Sequence, residues 1–394
     1  MLSTGIITLF VKKERRGKVF TREERYFYLY RLLSNIEYQL FSVMSTDLFL
    51  NSTFGDSSVN ENGRHSANEH EEIDAETLWL IDEIIKPELP NISDNVSLCL
   101  QMLENDQVYK MPVSNGVKEG NSDVPWVKGV VSRKQEYITG FRVMVRFPDY
   151  QNGKVVALEM RPNFKYLLTQ FGSIADNLHK IITLLDDLET MTDVHQFVKI
   201  YKDVVTILDD SINLLQAPPS KLTYPENNNE PMKQIFENYK ETCDNSTNLI
   251  ALDLILVKNE LCIDFRNLNK VTKKPWCTMD PKTGKSFIDK IKDELMTART
   301  KNVKLILEEN GLTVDDSNFL NNFISSTFKP DTTTTLSDAQ DYLRRGSTFD
   351  GCAVTESSKI IASTSDPILI CVSSKLNGLK HSIDNHYENL KIHH

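Results

Sequence analysis

The sequence predicts an α+β protein in which heptad-patterned helices pack into a bundle beside a separate, small antiparallel sheet. Three observations predict it. Residues 163–190 place Phe164, Leu167, Phe171, Ile174, Leu178, Ile181, Leu185 and Leu188 at alternating spacings of three and four, the a and d positions of a heptad repeat. Phe141, Val143, Val145 and Phe147 alternate with residues that are polar at Arg142 and Arg146, the period-two signature of a half-buried strand. Two apolar runs, 249–257 and 261–265, surround Lys258-Asn259-Glu260 and read as a β-hairpin.

In chain order, residues 1–50 contain a helix over 21–44. Thr21 and Glu24 form its capping box, and Tyr26, Leu29, Leu33, Ile36, Leu40 and Val43 form its stripe. Met44 is a second candidate initiator, which leaves the status of residues 1–43 open. Residues 51–73 are polar and rich in Asn, Ser and Gly, the composition of a disordered linker. Asp74 caps a helix through Trp79, Ile81 and Ile85. Pro87 and Pro90 are expected to interrupt it before a second piece over Ser93 to Leu103, and residues 104–125 read as a loop.

Strands follow from Trp126 through Val131 and from Phe141 to Phe147. Asn152-Gly153 then predicts a tight turn and Val155 to Met160 a returning strand. After the helix of 163–190 and a short Thr192-Asp193 joint, Val194, Phe197, Tyr201, Val204, Leu208 and Leu215 repeat the register. Ser211 is the polar entry and Pro218-Pro219 the stop. Two such helices joined by a short turn form an antiparallel hairpin. Ser286 to about Asn310 is expected to be helical, as is Asp315 to Phe328. Thr332 to Thr335 read as a linker to a helix over Leu336 to Arg345, and Cys352 to Thr364 as a strand. Asp366 and Pro367 start a last helix with Leu369, Val372, Leu376, Leu379, Ile383 and Leu390 at a and d, and His386 as the exception.

Burying eight large side chains along one such helix is worth on the order of 12 to 24 kcal/mol before entropy, as an upper bound. The stripes must therefore pack, either on their own chain or on a partner.

A net charge of -10, with 25 % charged residues, argues against nucleic-acid or anionic-membrane binding, which needs a concentrated basic face. The basic run Lys12 to Lys18 reads as a solvated segment. No window approaches a membrane span, and the stretch Gly5 to Val11 lacks the flanks of a signal peptide. The six cysteines show no Cys-x-x-Cys pair and read as free thiols in a reducing compartment, so the sequons at Asn51, Asn91, Asn95 and Asn245 are expected to be silent.

Gly284-Lys285-Ser286 mimics the end of a phosphate-binding loop, but Met279 stands where the first glycine belongs, so Ser286 is better read as a helix cap. Asp186-Asp187 and Asp209-Asp210 read as solvated, and His179 and His195 as packing or surface residues. No nucleophile-base or metal-ligand spacing is found. The sequence thus offers no catalytic, cofactor or metal residue, and reads as a non-enzyme.

Several strings occur in a telling order: Glu76-x-x-Trp79-Leu80-x-x-Glu83-Ile84, Gly129-Val130, the heptads of 163–216, Leu222-Thr223-Tyr224-Pro225-Glu226, Leu261-Cys262-Ile263, and the strand and helix from Lys359 onward. Together they resemble the Rogdi family, which includes the small subunit of the fungal RAVE complex, the regulator of vacuolar ATPase assembly. The resemblance covers roughly 75–268 and 350–390. It implies a discontinuous, leucine-zipper-like helical bundle from 74–104, 163–216 and 366–391, with a β domain from 126–161, 249–268 and 350–364. Residues 286–345 form a helical insertion without counterpart. The resemblance also implies a cytoplasmic adaptor, recruited peripherally to vacuolar or endosomal membranes, that promotes reassembly of the peripheral ATPase sector of the vacuolar proton pump with its membrane sector. Expected partners are the large β-propeller subunit of the complex, a Skp-type adaptor, and pump stalk and collar subunits. Heptads alone would equally suit a scaffold or tethering subunit in vesicle traffic.

Overall fold

A computed structural model describes residues 75–118, 123–298, 300–315 and 333–392. The expected helix over 21–44, the linker of 51–73 and the status of residues 1–43 lie outside these residues.

The chain is α+β. Residues 75–80 are helical and run through a π-helical turn, Ile81–Ile85, into α1 (Lys86–Leu103). The expected break at the prolines does not occur. In the π turn the Lys86 amide reaches back five residues to the Ile81 carbonyl, and this wider turn carries the register past Pro87, which has no N–H to give. Pro90 removes one more amide, but buried Leu89 and Ile92 flank it, and packing holds the helix together.

The segment expected to be a loop holds β1 (Tyr109–Ser114), followed by β2 (Trp126–Lys134), β3 (Tyr137–Arg146), β4 (Val156–Glu159) and β5 (Tyr166–Leu167). These strands make the first sheet, antiparallel throughout in the order β1-β2-β3-β4, with β5 also on β3. Pro112 hides β1 from a sequence reading, yet an edge strand tolerates a missing donor. The tight turn expected at Asn152-Gly153 is instead a longer loop, whose residues Gln151, Asn152 and Gly153 all have positive φ. Gly129 is required by close approach: a Cβ there would lie 2.2 Å from the Arg142 carbonyl oxygen.

Next come α2 (Thr169–Thr190) and α3 (Val194–Gln216). Helix α2 starts later than its heptads suggest, because Tyr166 and Leu167 pair with Ile138 and Tyr137 in the sheet, which leaves Leu167 exposed and Phe164 outside the helix. The remaining stripe is as expected, with Phe171, Ile174, Leu178, Ile181, Leu185 and Leu188 all buried. Asp193 caps α3 by accepting from the Gln196 amide at 3.0 Å.

Short helices α4 (Glu230–Ile235) and α5 (Tyr239–Cys243) lead to the expected hairpin, β6 (Asn248–Val257) and β7 (Glu260–Lys270). Lys258 and Asn259 turn it with positive φ, and their amides donate to the last carbonyls of α3, Gln216 and Leu215, at 3.0 and 2.9 Å. Where one helix was expected from Ser286, α6 (Phe287–Thr297) and α7 (Val303–Glu309) stand apart because Asn302 caps a new start, its side chain accepting from the Leu305 amide. Thr313–Asp315 (β8) is a strand, parallel to β9 (Thr333–Thr335), so neither the helix expected at Asp315 nor an unstructured linker begins there; residues 316–332 lie outside the described ones. Helix α8 (Leu336–Arg345), β10 (Gly346–Phe349), β11 (Cys352–Ser365) and α9 (Pro367–Ile392) complete the chain. The second sheet is antiparallel in the order β10-β11-β7-β6.

Helix α1 packs on α2 and α9, α2 on α3, and α3 on α9. Their buried faces belong to one apolar cluster with the inner faces of both sheets. The sheets meet at Phe141 of β3, whose ring centroid lies 5.5 Å from that of Phe236 and 6.5 Å from that of Phe265 on β7. A smaller core, with Trp276, Ile288, Ile291, Ile306, Leu307 and Ala339, serves the residues between β7 and β10.

Two polar devices fasten helices to sheets. The first closes the free edge of β6. The Gln170 side-chain amide donates to the Leu256 carbonyl at 3.0 Å and accepts from the Leu256 amide at 2.7 Å. Asn229 does the same for the Ile250 carbonyl and the Leu252 amide, at 3.1 and 3.2 Å. The two side chains thus stand in for a fifth strand and blunt an edge that would otherwise pair with other chains. Gln170→Ala leaves both Leu256 groups without partners in a buried setting, a loss of about 1 to 3 kcal/mol. Chemical unfolding measures that loss, and faster hydrogen exchange at the Leu256 amide localises it.

The second device joins the first sheet to α9. Arg133 on β2 and Asp366, both fully buried, meet at 2.5 Å between Nε and Oδ2. Asp366 Oδ1 also accepts from the Ile368 amide at 2.9 Å, which fixes the helix start. The guanidinium lies over the rings of Tyr109 and Phe171, 5.1 and 4.6 Å from their centroids.

Candidate interaction surfaces

The polar residues singled out in the sequence are not brought together. Ser286 caps α6, its hydroxyl accepting from the Asp289 amide. Asp186 and Asp187 are exposed on α2, and Asp209 pairs with Lys380 of α9. His179 lies 3.2 Å from Glu104, and His195 is exposed at the start of α3. Among the described residues no group of three or more His, Cys, Asp or Glu is placed to hold a metal ion, and no helix is long and apolar enough to cross a membrane. The six cysteines are free; burial pushes the thiols of Cys99 and Cys243 up to about 12, so both stay protonated at neutral pH.

His386, the polar exception in the last heptads, is buried against α3, with Nδ1 2.9 Å from the Tyr201 hydroxyl and Nε2 3.4 Å from Glu88 on α1. Burial lowers its pKa against the pull of the Glu88 charge, so the ring is neutral at pH 7. A carboxylate can only accept, which puts the proton on Nε2 and leaves Nδ1 to accept from Tyr201.

A polar cluster that sequence reasoning missed lies on the outer face of the second sheet. Asp253 on β6 and Asp264 on β7 are both buried. The Arg266 guanidinium reaches Asp253 at 3.3 Å, Asp264 at 2.5 Å and Glu356 at 2.7 Å, while Lys359 reaches Asp264 at 2.9 Å. Arg266 also lies over the Tyr224 ring, and the Tyr224 amide donates to Asp253 at 3.0 Å. The string Leu222 to Glu226 is thereby pinned to the sheet.

Burial pushes the Asp264 carboxyl up to about 6, although Lys359 and Arg266 pull it down. The folded state therefore holds this proton more tightly than the unfolded chain does, whose aspartates titrate near 3.9. The group's contribution to stability is full below about pH 4 and is lost as pH rises to about 6. Asp264→Asn is expected to flatten that part of the stability profile, as measured by urea unfolding across the interval.

Among the described residues several large apolar side chains are exposed. They include Leu78 and Trp79 ahead of α1, Val130 and Met144 on the first sheet, Ile361 on the second, and Ile370 on α9. On the first sheet the pairing fixes their company. Pro112, Val130, Arg142 and Glu159 lie side by side across β1 to β4, and Ser114, Lys128, Met144 and Ala157 form the next row. The alternation at Phe141, Val143, Val145 and Phe147 was visible in the sequence; its inward direction needed the register.

Fold and surface define an α+β protein that buries its heptad stripes on its own chain and presents mixed apolar and charged faces. The chain belongs to the Rogdi family. The family model described as Rogdi leucine zipper containing protein matches residues 76–391. The chain is 47 % identical over 350 residues, 88 % of its own length and 97 % of the relative's, to the protein of Saccharomyces cerevisiae (strain ATCC 204508 / S288c) named Regulator of V-ATPase in vacuolar membrane protein 2.

Proposed function

We propose that this chain regulates the vacuolar proton pump as a non-catalytic adaptor subunit of a RAVE-type complex. It promotes reassembly of the peripheral ATPase sector with the membrane sector, and hence acidification of the vacuole. The observation that carries this reading is the match to the yeast regulator over 97 % of that protein's length. The absence of a recognisable catalytic spacing in the sequence agrees with an adaptor. In this reading α1, α2, α3 and α9 are the discontinuous antiparallel bundle, with the leucine-zipper-like heptads turned inward. The strands of 126–161, 249–268 and 350–364 form the β part, and 286–345 is an insertion. The partners are the large β-propeller subunit, a Skp-type adaptor, and stalk and collar subunits of the pump, met in the cytoplasm and at the vacuolar membrane.

Deleting the gene tests the reading. Vacuolar pH should rise, and purified vacuoles should carry fewer assembled pumps. Normal acidification together with normal assembly in the deleted strain would defeat it.

A further inference from the structure

From the three-helix contact at His386 we infer that the bundle carries a proton-operated latch: when the ring takes up a second proton, the last turns of α9, residues 383–392, come away from α1 and α3. The latch belongs to the fold and holds whatever the chain's partners are. The two ends of α9 are fastened differently. Its start is held by the buried pair of Asp366 and Arg133. Further along, Lys380 bridges Asp209 of α3 and Asp384 of its own helix. Past that bridge Ile383 and Leu390 are buried in the large apolar core. His386 stands between them, only 8 % exposed, with Nε2 toward Glu88 of α1 and Nδ1 toward Tyr201 of α3. A helix end opens at far lower cost than the whole fold.

The contact suits the neutral ring and not the charged one. Tyr201 is fully buried, and burial pushes its phenol upward, so it stays a neutral hydroxyl. With Nδ1 protonated that hydroxyl must turn to accept, and its own hydrogen loses the acceptor it had. The added charge would sit within an apolar stripe. Glu88 faces it from α1, but 51 % of that side chain is exposed, so water screens the charge it offers. Asp384, on the same helix as the ring, is already engaged by Lys380. Burial accordingly outweighs Glu88 and holds the ring's pKa below its ordinary value. Because the folded bundle keeps the neutral ring, this contribution to stability is complete above about pH 6.5 and is lost as pH falls below it.

Hydrogen–deuterium exchange of the full chain tests the latch, read by mass spectrometry with labelling times scaled to the intrinsic exchange rate. Asp264, pushed up to about 6 on the second sheet, acts on stability in the opposite sense, so the readout has to be local. Between about pH 7.5 and about pH 5.5, peptides over residues 383–392 should open up to about tenfold more often, the ratio set by a ring that titrates near 6.5 once released. Peptides over α2 should hold their protection. His386→Gln, whose amide can donate and accept in the ring's place but does not titrate, should abolish the difference. Glu88→Gln removes the charge that favours the second proton, and should keep the difference or enlarge it. Equal protection at both pH values overturns the inference, as does tighter protection in acid, the result an ion pair with Glu88 would give. So does a response that persists in His386→Gln or vanishes in Glu88→Gln. Should His386→Gln fail to fold, an NMR titration of the His386 ring in the unaltered chain decides: a midpoint below about 6.5 supports the latch, and one at or above it overturns it.

Discussion

Asp366→Ala lowers the free energy of unfolding by about 3 to 5 kcal/mol, because it strands the Arg133 guanidinium as a buried charge. Arg133 Nε has Asp366 as its partner, and NH1 donates to the Gln135 carbonyl at 2.6 Å. The second bond orients the group but cannot neutralise it. The aspartate also caps α9, so the substitution removes a charge pair and a helix cap together. Urea unfolding of Asp366→Ala, Arg133→Met and the double variant separates these effects. If the stranded charge dominates, adding Arg133→Met to Asp366→Ala recovers much of the loss. If the cap dominates, it recovers little.

Phe171→Ala is the second large effect, about 3 to 5 kcal/mol for truncating a fully buried aromatic ring. Phe171 opens the buried stripe of α2, and its ring also lies under the Arg133 guanidinium. Its loss should therefore couple to that of Arg133, so the double variant loses less than the two single losses added. Leu185→Ala, farther along the same stripe, should instead be additive with Arg133→Met to within about 0.5 kcal/mol. Additivity at both positions would mean that the guanidinium draws nothing from the ring.

The helical stripes were legible because their period is long and unbroken. Phe171 to Leu188, Phe197 to Leu215 and Leu369 to Leu390 go inward as the pattern requires, and Ser211 is accommodated by bonds to the Ile207 carbonyl and the Asn177 side chain. The misreadings share a physical origin, in that tertiary partners outweighed local signals. Pro87 looked like a helix breaker until a π turn shifted the register ahead of it. Leu167 fitted the heptad but was taken by β3. Pro112 concealed a strand whose need for donors is low at a sheet edge.

The polar fasteners were not legible, because Gln170 and Asn229, or Arg133 and Asp366, acquire their roles only when distant segments meet. The inner face of the first sheet stood between these cases. Its alternation could be read, but which side faced the core was decided by pairing.

The way the small Trp276 core hangs from the second sheet bears on how freely this protein can change in length. Strand β7 leaves the sheet at Lys270 and the chain returns at Gly346; these two residues flank neighbouring positions of β11, Val354 and Thr355. Two strand spacings separate the exit from the re-entry, about 10 Å, which a handful of glycines and serines can span. The ends of the segment are thus close together, while its described residues are tied to the sheet through Ala353 in their core and through the bonds of Ser286 and Asp289 to Thr348. The helices of the large core take no part in that small core.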